Sequence, residues 1–326
     1  MVRRLARAVA EGSVAHAYLL GGSDHIGKRT VAQTFVRALL CTSEGKRPCG
    51  TCRACGLVQS NHHPDFLVLD RAWQAANLPD KHDAQSVSVD AVRLMNNELT
   101  RRPHEGQWKV LLVPNVEELT IQAANAFLKT LEEPPPFVVI LLTTRDPELV
   151  LPTIRSRCQP VSLLPLPIEQ VERALRTQWG VEPEHARLLA KLSEGRIGWA
   201  IQAVQDDALL EKRREALERL QSALAGNRAE RLLMAANLSS DGDNEMMRVW
   251  AAWWRDLLLV QSGVPDAIIN VDARAALERA SQRYTLEQVR DFLRELQRLL
   301  RLSQETNANR QLLWEVLLLK LPHPPS

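Results

Sequence analysis

Apolar and polar positions in the first half of the chain alternate between short apolar runs and longer stretches of helical periodicity. The apolar runs predict strands at 17–22, 65–70, 109–114 and 137–144, with a fifth at 161–164. Runs that are apolar throughout are typical of strands buried on both faces. Helical periodicity at 28–41, 90–100 and 121–133 supplies the connections between strands. The pattern therefore predicts an α/β domain whose parallel sheet is covered by helices.

The pattern changes at "LLPLPIEQ" (163–170), where two prolines interrupt it. Residues 168–206 predict three short helices, at 168–178, 183–193 and 197–206. Beyond about residue 207 no run predicts a strand, and helical spacing continues, as at 207–226 and 285–302. We therefore expect an α/β domain at 1–164, a small helical domain at 165–206 and an all-α domain at 207–326.

Composition limits the function classes. The chain has 41 Lys and Arg against 39 Asp and Glu, a formal net charge of +2. A protein that holds DNA through its own surface is usually more basic, so we expect any DNA contact through partners or a local patch. The first 16 residues predict an amphipathic helix without the apolar core of a signal peptide. The longest apolar run, 311–321, is shorter than a membrane span, and we expect a cytoplasmic protein without membrane contact.

A phosphate-binding pattern lies where the first strand meets the first long helix. Gly22, Gly27 and Lys28 match G-x-x-x-x-G-K-[ST], but Arg29 stands where the Mg²⁺-binding hydroxyl belongs. Thr30 is rotated by about 100° along the helix, so it does not replace that hydroxyl, although it could touch an α-phosphate. A tight turn that needs glycine and a nucleotide-binding loop are both open interpretations, and the missing ligand favours the turn.

A second part of the ATPase machinery is missing from the strand at 109–114. The acids that position Mg²⁺ belong at its end, and Pro114 and Asn115 stand there instead. Glu117 and Glu118 follow, and we expect them past the strand on a solvated turn. Two independent losses at the nucleotide predict that the isolated chain does not hydrolyse ATP.

Four of the five cysteines lie close together. Cys41 ends the predicted helix, and "PCGTCRAC" supplies Cys49, Cys52 and Cys55. In a cytosolic chain this spacing favours a tetrahedral four-thiolate Zn²⁺ site over a set of buried reduced cysteines. All four ligand positions are filled, so the site is expected to be structural. Nearby "NHHPDF" (61–66) offers further donors, which we expect to cap a strand and not to bind metal.

The segment "TIRSRC" (153–158) carries two arginines, Arg155 and Arg157, on a predicted surface helix. Such an arginine can reach a neighbour's nucleotide and stabilise transferring charge in trans. From composition alone, an ordinary solvated pair is the better interpretation.

Taken together, "HAYLLGG" (16–22), "CGTCRACGLVQSNHHPDF" (49–66), "ANAFLKTLEEPPP" (124–136) and "TRDPELVLPTIRSRCQ" (144–159) resemble the δ′ subunits of bacterial DNA polymerase III clamp loaders, in the AAA+ superfamily. The resemblance covers the whole chain. It implies a P-loop AAA+ domain with a zinc module at 41–55, a helical lid at 165–206, and a helical collar at 207–326 that joins subunits in a ring. It also implies that Arg157, flanked by Ser156 and Cys158, is an arginine finger.

The resemblance further implies a hetero-oligomer with γ/τ and δ subunits, which contacts the sliding clamp indirectly and primer–template DNA through the complex. The resemblance also implies that the zinc ion is structural. It leaves open whether this chain binds ATP without hydrolysing it. The alternative is an ATP-hydrolysing γ/τ-type subunit. The sequence departs from that type at Arg29, Pro114 and Asn115, and at "SEGRIGWA" (193–200), where a nucleotide-sensing arginine is expected near Gly198 and Arg196 is off register.

Overall fold

A computed structural model describes residues 2–81, 84–238, 244–305 and 308–323. It separates into two compact units, Met1–Pro165 and Leu166–Ser326. The predicted subdivision into three domains, with its boundary near 206, stays a prediction. Of the predicted collar, residues 239–243, 306–307 and 324–326 lie outside the described part.

The first unit is built on a parallel five-stranded sheet, as the apolar runs predict. Its strands are β1 (Ala17–Gly21), β2 (Phe66–Val68), β3 (Lys109–Val113), β4 (Val138–Thr144) and β5 (Gln159–Ser162). They lie in the order β2-β3-β4-β1-β5, and every pair is parallel. Strand β5 begins two residues before the predicted start. It is an edge strand with three of its four residues exposed, so its first residues carry no apolar signal.

Helices cover both faces of this sheet. They are α1 (Val2–Ala10), α2 (Lys28–Leu40), α3 (Arg53–Gln59), α4 (Arg71–Asn77), α5 (Val89–Leu99), α6 (Ile121–Glu132) and α7 (Pro152–Arg155). Alternate strand residues point to opposite faces. Leu19, Leu111 and Ile140 therefore pack on one side with α5 and α6. Leu20, Leu112 and Leu141 pack on the other side with α2.

The second unit is helical throughout its described residues. Its helices are α8 (Ile168–Trp179), α9 (Pro183–Leu192), α10 (Ile197–Gln205), α11 (Ala208–Ala225), α12 (Arg228–Leu238), α13 (Glu245–Gln261), α14 (Arg274–Ser281), α15 (Leu286–Glu305) and α16 (Arg310–Leu319). Helices α8 to α10 share one apolar cluster, and α11 to α16 share another. Trp250, Trp253 and Trp254 are at most 1% exposed in the larger cluster, so these tryptophans are core residues. No helix in the described ranges is long and apolar enough to cross a membrane.

Candidate functional site

The turn between β1 and α2 carries the glycines of the phosphate-binding pattern. Gly27, which precedes the helix, has φ 99°, a left-handed conformation that glycine adopts without strain. Gly22 lies so close to the chain after β5 that a Cβ there would meet the carbonyl oxygen of Leu163 at 2.7 Å. Both glycines are thus required by backbone geometry alone, with or without a nucleotide.

The lysine of this loop is turned towards its own backbone. Lys28 is buried, and its Nζ donates to the carbonyl oxygens of Gly22 at 2.7 Å and Ser23 at 3.0 Å. Arg29 and Thr30 are exposed on the first turn of α2. The structure thus brings Gly22, Gly27 and Lys28 together, while an arginine replaces the metal-binding hydroxyl.

The end of β3 is neutral. Asn115 follows the strand with φ 52°, and its N–H donates to Oγ1 of Thr143 at 3.1 Å. Its side-chain Nδ2 donates to Oε1 of Glu118 at 3.1 Å. An amide in this position supplies no negative charge for Mg²⁺, whose protein ligands are mainly carboxylates.

An ion pair at the same sheet edge was not predicted. Glu117 is only 14% exposed, so the expectation of a solvated turn is wrong for this residue. Its Oε1 accepts from the N–H of Arg145 at 3.1 Å, and the Nε of Arg145 is 3.7 Å away. Arg145 follows β4 directly, next to Thr144, whose carbonyl accepts from the N–H of Gly22 at 3.2 Å. The sheet edge beside the phosphate loop therefore carries a paired arginine and glutamate. The position of Arg145 directly after β4 is the sequence feature that could have predicted it.

The four clustered cysteines converge at the end of α2 and the start of α3. Their sulfur atoms all lie within 4.8 Å of one another. The Sγ atoms of Cys41 and Cys52 are 3.9 Å apart, and those of Cys49 and Cys55 are 4.0 Å apart. Zn–S bonds near 2.3 Å in a tetrahedron place sulfurs roughly 3.8 Å apart. The spacing of the sulfurs therefore fits a tetrahedral metal ion.

Backbone N–H groups also point at the sulfurs. The N–H of Cys52 donates to Sγ of Cys49 at 3.3 Å, and the N–H of Cys55 donates to Sγ of Cys52 at 3.4 Å. The N–H of Cys55 lowers the pKa of Cys52 to about 5, whereas burial raises the pKa of Cys55 to about 12. A bound cation favours the thiolate at every position, so this donor set could hold a metal ion.

The polar residues beside this cysteine cluster tie it to the loop before β3. Arg53 donates to both carboxylate oxygens of Glu105, at 2.8 and 2.7 Å. Asp65 is buried and accepts from the N–H groups of His104 at 2.6 Å and Glu105 at 2.8 Å. The buried ring of His63 accepts from the N–H of Asp65 at 3.1 Å through Nδ1. These groups organise the entry to β2, as expected for capping residues.

The arginines of "TIRSRC" have different surroundings. Arg155 pairs with Glu148 at 2.6 Å. Arg157 pairs with Oε1 of Glu132 at 2.6 Å, donates to the carbonyl of Thr153 at 2.9 Å, and stays 35% exposed. Ser156 contacts the Arg157 guanidinium at 3.3 Å, while Cys158 is buried in the core beneath. The sequence offered no signal for the partner at Glu132.

In the second unit, Arg196 precedes α10 and is held by its surroundings. Its Nε donates to the carbonyl of Ser193 at 3.0 Å, and its guanidinium lies 3.7 Å from Glu194 and 3.9 Å from Glu245. The guanidinium carbon lies 6.0 Å from the centre of the Trp199 ring. These contacts engage the arginine within its own unit.

Comparison with known proteins gives consistent matches over most of the chain. Residues 1–167 match the sequence model of the family described as "DNA polymerase III, delta subunit", and residues 207–323 match "DNA polymerase III, delta subunit, C terminal". DNA polymerase III subunit delta' of Escherichia coli (strain K12) is 30% identical over 312 residues, covering 94% of this chain and 89% of that protein. DNA polymerase III subunit delta' of Bacillus subtilis (strain 168) is 26% identical, covering 89% and 85%. DNA polymerase III subunit tau of E. coli is 32% identical over 211 residues, covering 63% of this chain and 31% of that protein.

Proposed function

This chain belongs to the DNA polymerase III subunit δ′ family, and we propose that it is a non-hydrolysing subunit of a clamp loader. In this role it braces a ring of AAA+ subunits during DNA replication and presents Arg157 to the ATP of a neighbouring subunit. The isolated chain is then not an enzyme, although it serves the polymerase holoenzyme.

The observation that carries the proposal is the neutral end of β3. Asn115 takes the place of an acid and is engaged by Thr143 and Glu118. Arg29 removes the second Mg²⁺ ligand. ATP hydrolysis in P-loop proteins needs both ligands, since the metal neutralises charge that develops on the leaving phosphates. Because both ligands are lost, we expect no hydrolysis at this loop.

Arg157 supports the proposed trans role by its position. It lies on the surface of the first unit, and its guanidinium is partly exposed. A planar guanidinium can donate two parallel hydrogen bonds to phosphate oxygens, which makes arginine suited to this task. The core residues Ile154 and Cys158 fix the backbone on either side of it.

We also propose that Cys41, Cys49, Cys52 and Cys55 hold one structural Zn²⁺. Their sulfur spacing supports this choice, and a set of four thiolates suits zinc. The bound ion would fix the turn between α2 and α3. Because all four ligand positions are thiolates, the ion would have no open position for chemistry.

The proposed partners are γ/τ and δ subunits, with the sliding clamp contacted indirectly and primer–template DNA through the assembled complex. The near-neutral net charge of +2 agrees with indirect contact to DNA. A cytoplasmic location also remains a prediction. The alternative function is an ATP-hydrolysing γ/τ-type subunit, which the preserved Gly22, Gly27 and Lys28 and the match to a tau subunit favour.

Two measurements test the proposal. The purified chain should release no phosphate from ATP above background, and it should co-purify with γ/τ and δ subunits as a stable complex. Turnover by the unmodified chain, abolished by Lys28→Ala, would favour the γ/τ alternative. A chain that neither hydrolyses ATP nor joins the complex would contradict both functions. It would favour a third function, that of a zinc-bearing adaptor that acts outside the clamp loader.

A further inference from the structure

The partner of Arg157 comes from a different part of the sequence. Glu132 is the last residue of α6, and Arg157 follows α7. The Nη2 of Arg157 lies 2.6 Å from Oε1 of Glu132, and its Nη1 donates to the carbonyl of Thr153 at 2.9 Å. Both terminal nitrogens of the guanidinium are therefore engaged within the chain.

The backbones of both residues are fixed by the core. Leu131, which precedes Glu132, is 1% exposed, and so is Ile154; Cys158, which follows Arg157, is 7% exposed. All three belong to one apolar cluster beneath the sheet. The side chains of Glu132 and Arg157 lie above this cluster and are 49% and 35% exposed, respectively. They can therefore change partners while their backbones stay in place.

We propose that Glu132 parks Arg157 in the absence of a neighbour's nucleotide, and that ATP at the subunit interface recruits the arginine by displacing this carboxylate. The inference rests on the proposed trans role of Arg157. The terminal nitrogen held by Glu132 is one that a phosphate oxygen would need for a two-pronged contact. A phosphate of ATP carries more negative charge than one carboxylate, so the exchange is favourable once the interface is formed.

The exposure of the pair makes the exchange reversible. Exposed ion pairs contribute only about 0–1 kcal/mol because water and salt screen them and both side chains lose freedom. Glu132 therefore raises the ATP concentration at which Arg157 is recruited, but it does not prevent recruitment. Removing its charge should make the arginine available at a lower ATP concentration, without changing the rate once ATP saturates the site.

The test uses the assembled complex with γ/τ and δ subunits. Glu132→Gln keeps the shape of the side chain and removes its charge. It should lower the apparent KM for ATP by a factor of about 2 to 5, the range expected for loss of an exposed ion pair, and leave kcat unchanged. Glu133→Gln is the matched control, since it removes the same charge from the next, also exposed, residue. It should leave the KM unchanged.

Arg157→Ala separates this inference from the function on which it rests. In an Arg157→Ala background, Glu132→Gln should have no effect on KM, because no finger is left to release. If Arg157→Ala slows hydrolysis but Glu132→Gln leaves the KM unchanged or lowers kcat, parking is wrong and the trans role stands. If Glu133→Gln lowers the KM equally, the effect is one of general charge and parking is again wrong. If Arg157→Ala itself changes nothing, the trans role fails, and parking fails with it.

Discussion

The side-chain ammonium of Lys28 lies 2.7 Å from the carbonyl oxygen of Gly22, so the lysine of the phosphate-loop pattern donates into its own loop. A second bond, to the carbonyl of Ser23, adds to this contact. The loop therefore supplies backbone acceptors to its own buried cation. The loop keeps the glycines and the lysine of the phosphate-binding pattern, while Arg29 and Asn115 stand at the two positions where the pattern expects Mg²⁺ ligands.

Restoring one metal ligand should not restore ATPase activity. In Arg29→Thr the hydroxyl returns, but the end of β3 still carries Pro114 and Asn115 and supplies no carboxylate for Mg²⁺. We expect phosphate release by the purified variant to equal that of the unmodified chain, at background. Lys28→Ala is the control for contamination, because phosphate release by a contaminating ATPase would not decrease in this variant. If Arg29→Thr released phosphate from ATP, and the added Lys28→Ala substitution abolished that release, carboxylates at positions 114 and 115 would not be needed for hydrolysis.

The purified protein should carry one tightly bound Zn²⁺. Structural zinc in small modules contributes about 10–16 kcal/mol of apparent binding free energy, so its loss should unfold the surrounding loop. Cys52→Ser should release the metal and increase hydrogen exchange across residues 41–60, while exchange in α13 stays unchanged. Elemental analysis and exchange mass spectrometry measure these effects. Cys158→Ser is the control. Because Cys158 lies outside the cluster, this variant protein should retain its metal.

Arg157→Ala should slow ATP hydrolysis by the assembled loader while the ring still forms. A fixed guanidinium stabilises the charge that spreads over the transferring phosphate, and arginine fingers are worth about 10³–10⁵ in rate at the site they serve. The decrease for the whole ring should be smaller, because other sites keep their own fingers. Arg157→Lys should fail nearly as badly, since an ammonium lacks the planar fork.

Arg155→Ala is the control for this prediction. Arg155 lies two residues away and pairs with Glu148. Its loss removes the same charge from the same surface and should have little effect on clamp-stimulated hydrolysis. Unchanged rates in Arg157→Ala, measured on a ring shown to be intact, would reduce Arg157 to an ordinary surface residue.

Stability of the second unit should depend on pH through Glu295. This carboxylate accepts from Arg298 at 2.8 Å and from Lys320 at 2.8 Å, which joins α15 to the end of α16. The bond from Arg298, helped by Lys320 and opposed by burial, lowers the pKa of Glu295 from 4.5 to about 2. Because the folded pKa is depressed, the stabilisation is present above about pH 4.5 and is lost as the pH falls towards 2.

Glu295→Gln tests this dependence. The variant should melt at a lower temperature than the unmodified chain at pH 7, and the difference should shrink as the pH falls from 4.5 to 3. Thermal unfolding, monitored by circular dichroism at each pH, measures the melting temperatures of the variant and of the unmodified chain. Glu287→Gln, on the same helix but with its exposed carboxylate 3.5 Å from Arg290, should show almost no difference at either pH. A difference for Glu295→Gln that is independent of pH would point to packing and not to charge.

The sequence by itself determined the parallel sheet, the all-helical character of the second unit and the clustering of four cysteines. These features are local, because a buried strand needs a continuous apolar run and a helix needs an apolar stripe. The four cysteines lie within 15 residues of one another, so their spacing alone brings them close. That Pro114 and Asn115 follow the strand could also be predicted directly, since the end of a strand is defined by its own residues.

Only the tertiary structure decided which charged groups that are distant in the sequence meet. Glu132 and Arg157 are 25 positions apart, and Glu117 and Arg145 are 28 apart, so no helical or strand periodicity relates them. The packing of α6 and α7 into one core brings the first pair together, and the neighbouring ends of β3 and β4 bring the second. The core role of Trp250, Trp253 and Trp254 was decided in the same way, because burial depends on the helices that pack around α13 and not on the residues within it.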